Sequence, residues 1–283
     1  MAKSRSEILA LLLPCILVMS MNAFIPLITV FNFSLRNIFP GRTANYIGLD
    51  NYREVIRSEV FQSALQRTLL FSLECLVIEI PLGILIASLI PKKGKVGALC
   101  SAFFSAPLLV PLMVSGLNGR LLFRADVGPL AYMFSKVTGF NYTLNNPTMA
   151  FHTLVFIDVW HWTSLIVILM YSGIRSIPEE LYQAASIDRA SGITIFRAVT
   201  LPSLRYPTLI ACLLRFMDSF RFFDEAWIMT GGGPGTATEF LSIYTQREAL
   251  QAFRYGTAGA VSLIYLFITM IICYMLFKVF QRG

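Results

Sequence analysis

Long blocks of hydrophobic residues alternate with shorter polar segments along this chain of 283 residues. A helix needs roughly 20 mainly apolar residues to cross the hydrocarbon core of a bilayer. Since lipid offers backbone N–H and C=O groups no hydrogen-bond partner, each long block is predicted to be a helix. The six predicted spans cover approximately residues 8–33, 68–90, 98–117, 150–174, 206–229 and 255–280.

Two of these spans have features that bear on the prediction. The first follows Lys3 and Arg5, as a signal peptide would, but its apolar run is longer than the roughly 7–15 residues of a signal-peptide core. We therefore expect it to be retained as an anchor. The third contains Pro107 and Pro111, which membrane helices tolerate where neighbouring helices or water satisfy the freed carbonyls.

Composition supports a membrane protein. Charged residues make up 14% of the chain, against about a quarter in soluble domains. The formal net charge of +7 is scattered among apolar blocks without a basic stripe, which argues against a nucleic-acid partner and fits loops that face anionic lipid. The five cysteines lie inside apolar blocks and are expected to be small buried hydrophobic residues, so no metal site is predicted.

Six spans would place both termini on one side of the membrane. Basic residues are about equally numerous on the two sides, but the segments on the terminal side are shorter, and Lys92, Lys93 and Lys95 lie close together there. The positive-inside rule therefore favours cytoplasmic termini. The sequence has no internal repeat, which argues against a complete inverted-repeat carrier. We expect a single transmembrane domain over residues 1–283.

The segment of residues 175–203 is predicted to be helical although it is polar. Ser176 and Glu179 form a capping-box pattern, and Pro178 suits a first helical turn. Helix formers continue to Ala190, and Gly192 is a suitable C-terminal stop. A second short helix is expected over residues 194–200, before Pro202 redirects the chain.

The first of these helices would have an unusual face. Small residues, Ala184 and Ala185, would allow close approach of a partner, while Glu180 and Asp188 add charge and Leu181 adds an apolar anchor. Two interpretations remain open from the residues alone: a helix lying on the membrane surface, or a docking helix for another protein.

This segment resembles the EAA loop of binding-protein-dependent ABC importer permeases, the cytoplasmic element that docks on the ATPase subunit. The family pattern reads roughly LYEAAxxDGAS, followed at a characteristic distance by LP. Here residues 181–191 read LYQAASIDRAS, and Leu201 and Pro202 follow at that distance. The resemblance implies an ATPase-coupling role for Glu180, Leu181, Gln183, Ala184, Ala185, Asp188, Arg189 and Gly192.

Two positions depart from the family pattern. Gln183 replaces the motif glutamate and keeps its length and hydrogen-bonding capacity without the charge. Arg189 stands at the position of the motif glycine, and we hypothesise that it brings a compensating charge. Further motifs resemble the carbohydrate-type permeases of this superfamily, such as those for maltose and glycerol phosphate: GLDNY at residues 48–52 and TGGGPG at residues 230–235. The order and spacing of the motifs cover nearly the whole chain.

Charged residues in the fifth predicted span could serve the transport pathway or merely neutralise one another. Arg221 lies four positions before Glu225, which favours its neutralisation by Asp224 or Glu225, whereas Asp218 and Ser219 are expected to face the pathway. Trp162 in the fourth span offers an aromatic ring suited to a sugar face, although tryptophan also marks membrane interfaces. The resemblance implies a substrate cavity lined by these two spans, with Trp162, Asp218 and Ser219 as candidates.

The resemblance therefore implies a permease subunit with the type I ABC importer fold, an all-α protein with six transmembrane helices in a bacterial inner membrane. It would form half of the pathway for a sugar or related polar solute. Its partners would be a second homologous permease, two ATPase subunits, a solute-binding protein and membrane lipid. ATP and Mg²⁺ would be bound by the ATPase, because the chain lacks a Walker A sequence, and no catalytic residue or cofactor is assigned to the chain.

Two other functions are alternatives to an importer permease. An ion-coupled secondary transporter would use the charges of the fifth span as a relay. An intramembrane enzyme would need a nucleophile beside His152 or His161, and no such motif accompanies either histidine. Whether the solute is a sugar, a polyol or a glycerol phosphate ester stays open, as does whether the second permease is a different chain or another copy.

Overall fold

A computed structural model describes residues 5–41, 43–92 and 94–282 of the chain. The secondary structure is almost entirely helical, with one short antiparallel pair of strands. The helices are α1 (Arg5–Ser34), α2 (Asp50–Arg57), α3 (Glu59–Leu89), α4 (Gly94–Ser105), α5 (Leu112–Leu122), α6 (Pro129–Thr138), α7 (Pro147–Arg175), α8 (Glu179–Ile187), α9 (Gly192–Ile195), α10 (Leu201–Ser203), α11 (Arg205–Phe220), α12 (Asp224–Thr230), α13 (Leu241–Gln246) and α14 (Tyr255–Arg282). The strands are β1 (Arg36–Asn37) and β2 (Asn45–Tyr46).

Four helices among the described residues are long and apolar enough to cross a membrane. They are α1, α3, α7 and α14, which correspond to the first, second, fourth and sixth predicted spans. Helix α3 begins at Glu59, well before the predicted residue 68, because a short amphipathic turn continues into the apolar stretch. These four predictions are confirmed in helix type and approximate position.

The third predicted span is broken. Helix α4 ends at Ser105, a 3₁₀ turn covers Ala106–Leu109, and α5 leaves at an angle of 88° to the preceding segment. The break lies at Pro107 and Pro111, since neither can donate a backbone hydrogen bond to the preceding turn. The prediction of one continuous helix over residues 98–117 was therefore wrong. Counted together, the bent pair would be a fifth span.

The fifth predicted span is also divided. Helix α11 ends at Phe220 and α12 begins at Asp224, and Phe223 between them has φ −138° and ψ −57°, outside the helical region. A continuous helix over residues 206–229 was thus wrong. The break lies in a stretch rich in charged residues. As a result, Asp224 and Glu225 form the first turn of a separate helix. The count of six spans stays a prediction.

The described residues group into two compact units. In the unit formed by residues 1–62 and 244–268, Asn51 of the GLDNY motif donates to the carbonyls of Ser34 and Arg36 at 2.8 and 2.9 Å. A Cβ on Gly256 would lie 2.1 Å from the Arg36 carbonyl oxygen, so glycine is needed for α14 to pass there. The motif thus ties the end of α1 to its neighbours.

The other unit, residues 63–243 with 269–283, contains two buried hydrophobic clusters. One is aromatic, with Phe71 stacked on Phe222 at a centroid distance of 4.3 Å and in contact with Phe240. The other is aliphatic and packs Ile166 and Met170 of α7 together with residues of α3 and α11. The aliphatic cluster thus packs α3, α7 and α11 together. The expectation of one domain over residues 1–283 stays a prediction.

The segment between α7 and α11 is helical as predicted, but its boundaries differ. Ser176 caps the end of α7, donating its hydroxyl to the Gly173 carbonyl at 2.7 Å, so the capping box with Glu179 was wrong. Helix α8 ends at Ile187, and Gly192 begins α9 instead of stopping α8. The cause is Ser191, whose side chain accepts from the Thr194 amide and caps the new helix.

The second short helix predicted over residues 194–200 extends in the structure from Gly192 to Ser203. It comprises α9, a π-helical turn over Phe196–Thr200 and α10. Pro202 lies in the first turn of α10, where its missing N–H costs little, so it does not redirect the chain there. The chain instead changes course at Leu204, just before α11.

Arg189 occupies a left-handed backbone conformation, with φ 52°. Residues with a Cβ adopt that region at a cost of about 1–2 kcal/mol, while glycine adopts it freely. The motif glycine at this position is therefore explained by the backbone, and Arg189 carries a penalty that the glycine would not.

We predict that Arg189→Gly raises the free energy of unfolding by up to about 1 kcal/mol, because the relief of backbone strain exceeds the entropy that glycine adds to the unfolded chain. Denaturant unfolding of the detergent-purified protein measures this change. Arg189→Ala is the matched control, since it removes the charge and keeps the strain. A glycine variant no more stable than the alanine variant would contradict the explanation.

Candidate functional site

A buried arginine of α11 organises the polar interior of this unit. The Arg215 side chain is 1% exposed and forms a two-pronged ion pair with Glu79 of α3, with Nε–Oε2 and Nη2–Oε1 distances of 2.6 and 2.9 Å. Its Nη2 also donates to Asp158 Oδ2 of α7 at 2.6 Å, and its Nη1 lies 3.2 Å from Asp218 Oδ2. One guanidinium thus joins three helices.

The geometry suits a guanidinium better than any other cation. Its planar fork of donors gives one carboxylate two parallel hydrogen bonds, a geometry that a lysine ammonium does not offer, and leaves further N–H groups for a second carboxylate. The Trp162 ring completes the site, since its centroid lies 4.6 Å from the guanidinium carbon. Ligand atoms of Cys75, Glu79 and Asp158 lie within 4.8 Å of one another, but the guanidinium already contacts both carboxylates there.

A cavity of about 270 Å³ opens beside this ion cluster. Apolar walls come from α5 and from Phe222 and Phe223 at the break between α11 and α12. The charged residues and the tryptophan that line it are Asp158, Trp162, Asp218, Arg221, Asp224 and Glu225.

Two of the lining carboxylates present buried oxygens without a hydrogen-bond partner among the described residues. These atoms are Asp158 Oδ1 and Glu225 Oε1, on side chains that are almost completely buried. A buried acceptor without a donor is costly, so such atoms usually mark a place where a ligand or water donates. Two residues of the cavity lining therefore carry a buried acceptor that no donor among the described residues satisfies.

Helix α12 is held against the cavity by close backbone packing. A Cβ added to Gly116 of α5 would lie 2.9 Å from the Glu225 Cα, and one on Gly119 would lie 2.9 Å from the Met229 sulfur. Because the neighbour of Gly116 is backbone, only glycine at that position lets α5 and α12 approach so closely. Gly116 thereby helps to fix the position of Glu225 in the cavity wall.

The candidate substrate residues fall in different places. Trp162 and Asp218 line the cavity, and the structure brings them together through Arg215. Ser219 is buried and its hydroxyl donates to the Phe216 carbonyl at 3.4 Å, and it is not among the lining residues.

One expected ion pair is different in the structure. Arg221 was expected to pair with Asp224 or Glu225, but its Nη2 lies 3.4 Å from Asp218 Oδ1. The reason is the end of α11 at Phe220, because the break carries the next turn away from the spacing that a continuous helix would give. Asp218 consequently lies between two guanidinium groups.

Glu79 and Asp158 were missed as the partners of Arg215. The sequence contained a signal: a buried arginine in an apolar helix requires counter-charges, and Glu79 and Asp158 stand within apolar stretches of two other predicted spans. Their pairing could not be read from spacing within one helix.

The predicted coupling residues form an exposed surface on α8 and the turn after it. Tyr182 faces inward, with the Lys92 ammonium 3.4 Å from its ring centroid and its hydroxyl 3.1 Å from the Thr200 hydroxyl. Ala185 on the same side is half-buried. The exposed members are Glu180, Leu181, Gln183, Ala184, Asp188, Arg189 and Gly192.

The family to which these features point is confirmed by comparison with known proteins. Residues 79–282 match the family model described as the binding-protein-dependent transport system inner membrane component. The chain belongs to this family. It is therefore a membrane permease component of such a system, and its place is the inner membrane.

Two curated relatives support this assignment. The permease is 31% identical over 252 residues to the trehalose/maltose transport system permease protein MalF of Thermococcus litoralis, covering 88% of this chain and 83% of that protein. It is 28% identical over 275 residues to the probable ABC transporter permease protein y4oQ of Sinorhizobium fredii, covering 96% of this chain and 89% of that protein.

A solved structure supports the fold. The permease superimposes on a chain of a bacterial ABC transporter involved in the import of the acidic polysaccharide alginate, with a TM-score of 0.84 and 21% identity. The alignment covers 97% of this chain and 95% of that chain. The predicted ABC importer permease fold is thus confirmed.

We predict that Arg215→Gln lowers the free energy of unfolding by about 3–5 kcal/mol, because it leaves the buried carboxylates of Glu79 and Asp158 without their counter-charge. Denaturant unfolding in detergent measures the loss.

Arg221→Gln is the matched control, since this arginine is 74% exposed and its pair with Asp218 contributes at most about 1 kcal/mol. Adding Glu79→Gln to Arg215→Gln should restore part of the stability, because it removes one unpaired carboxylate. Equal losses of unfolding free energy in Arg215→Gln and Arg221→Gln would show that the buried cluster contributes no more to stability than the exposed pair.

Proposed function

We propose that this permease forms half of the translocation pathway for a sugar or a related polar solute in an ATP-driven importer. The observation that carries the proposal is the cavity beside Arg215, where Trp162 and several carboxylates meet among helices that are otherwise apolar. Sugars combine apolar ring faces with hydroxyl donors, so a tryptophan beside unpartnered carboxylate oxygens suits them.

The relatives agree with this class of solute. One is named for trehalose and maltose, and another, from Bacillus subtilis, for arabinooligosaccharides. We therefore infer a carbohydrate-type solute for this permease, with Trp162, Asp218 and Asp158 as residues that contact it. Ser219 would act through the packing of α11.

The exposed surface of α8 and the turn after it, here called the coupling surface, is suited to a partner protein that supplies energy. Leu181, Ile187 and Ile193 are 47%, 82% and 69% exposed, although each is a large apolar side chain on a polar segment. Helix α8 has no buried residue of its own. A partner that covered these side chains would stabilise the segment by removing apolar surface from water.

We infer that the partner is a cytoplasmic ATPase that binds ATP and Mg²⁺. In the complete importer, two ATPase subunits would bind this permease and a second, homologous permease. An extracytoplasmic solute-binding protein would deliver the solute. The single permease domain would carry residues 175–203 as its coupling loop. Closure of the ATPases would displace that loop and open the pathway alternately to the two sides.

The alternative of an ion-coupled carrier is not favoured. Family membership points to binding-protein-dependent transport. In addition, the charges of α11 are already paired, since Arg215 contacts three carboxylates and Arg221 contacts Asp218.

The decisive experiment is reconstitution of the importer in proteoliposomes with its ATPase and binding protein. We expect uptake of a radiolabelled sugar that requires ATP and the binding protein and that is unaffected by collapse of ion gradients. Uptake driven by an ion gradient without the ATPase would overturn the proposal in favour of a carrier.

We predict that Ile187→Glu reduces co-purification of the ATPase at least about tenfold, because it places a carboxylate at an exposed apolar position of the coupling surface. The matched control is Val137→Glu, at a residue of α6 that is 85% exposed, close to the 82% of Ile187. Affinity purification of the tagged permease, followed by quantification of the ATPase, measures the effect. Equal ATPase recovery from both variants would contradict docking at α8.

A further inference from the structure

The ionisable side chains that line the cavity are mostly acidic. Its lining contains four carboxylates, those of Asp158, Asp218, Asp224 and Glu225, and a single guanidinium, that of Arg221. Because burial favours the neutral form of Glu225, which is 1% exposed, the three aspartates and Arg221 leave the lining negative by two elementary charges. The remaining lining residues are apolar, apart from the Trp162 indole.

Arg215 does not reverse this balance. Its guanidinium is 1% exposed and is not part of the lining. Two of its nitrogens are bound to Glu79, which also lies behind the wall, so the positive charge of Arg215 is matched by a carboxylate that is likewise outside the cavity. Arg221 is already engaged by Asp218. An incoming anion would thus meet no uncommitted cation among the described residues of the lining.

The two carboxylate oxygens without a hydrogen-bond partner indicate which groups of a solute this negative charge would favour. Asp158 Oδ1 and Glu225 Oε1 are acceptors on side chains that are 0% and 1% exposed. They can be satisfied by an O–H or N–H donor and would be opposed by a second carboxylate, sulfonate or phosphate. Low-dielectric walls strengthen both effects, because charges interact more strongly there than in water.

We propose that this half of the pathway selects solutes that carry hydroxyl or ammonium donors and rejects sugars that carry a negative charge. The inference rests on the proposed function and narrows its solute class to neutral and amino sugars. Glycerol phosphate esters and uronic acids fall outside that class. The similarity to the alginate importer, at 21% identity, extends to the fold and not to the acidic ligand.

Equilibrium binding tests the proposal with three pyranoses of similar size. Radiolabelled glucose, glucosamine and glucuronate would be equilibrated with the permease–partner complex in nanodiscs, in the absence of the binding protein. We expect glucose and glucosamine to bind at least about tenfold more tightly than glucuronate. Glucuronate binding equal to or tighter than glucose binding would overturn the charge selection while leaving a sugar pathway in place.

Variants connect the result to the cavity. Asp224→Asn with Glu225→Gln replaces two of the four lining carboxyl groups without touching a bond of Arg215, and should reduce the discrimination against glucuronate at least about threefold. The control is Asp126→Asn, on an exposed loop where the carboxylate pairs with Arg124 and faces no part of the cavity. Unchanged discrimination in the double variant would overturn the proposal. Binding of none of the three sugars would instead count against the proposed solute class itself.

Discussion

A buried guanidinium in an apolar bundle constrains everything that packs around it. Removing Arg215 from water is costly unless carboxylates of fixed geometry surround it, so α3, α7 and α11 must bring Glu79, Asp158 and Asp218 to one place. Since the guanidinium contacts carboxylates on all three helices, displacement of any one helix would break one of these ion pairs. The cluster therefore specifies how three helices are arranged, in addition to any contribution it makes to stability.

The cavity follows from the same arrangement. Asp158, Trp162 and Asp218 each touch Arg215 and each line the cavity, so the ion cluster positions the groups that a solute would meet. The break after Phe220 supplies the rest, because it separates α12 from α11 and places Asp224 and Glu225 in the wall. A straight helix over residues 206–229 would have left no such recess.

Hydrophobic pattern alone was sufficient for the four long helices, because an apolar run of that length has few other stable forms. The pattern could not reveal the breaks at Pro107 and Phe220, since both depend on what neighbouring helices do for the freed backbone groups. The pairing of Glu79 with Arg215 was equally hidden, because 136 positions separate them in the sequence. At Arg189 the family pattern suggested a missing glycine, and only the backbone angle explained it.

The coupling loop joins the two helices that build the cavity. Residues 176–204 connect the end of α7, which carries Asp158 and Trp162, to the start of α11, which carries Arg215 and Asp218. Tyr182 holds α8 to Lys92 and Thr200, so the exposed surface is attached to the unit and is not a free arm. In the proposed importer, a force applied to α8 therefore reaches the two walls of the cavity through α7 and α11, the helices at either end of the loop. Since Arg215 is bound to carboxylates of α3 and α7 as well as its own helix, such a force must either move the walls together or separate these ion pairs.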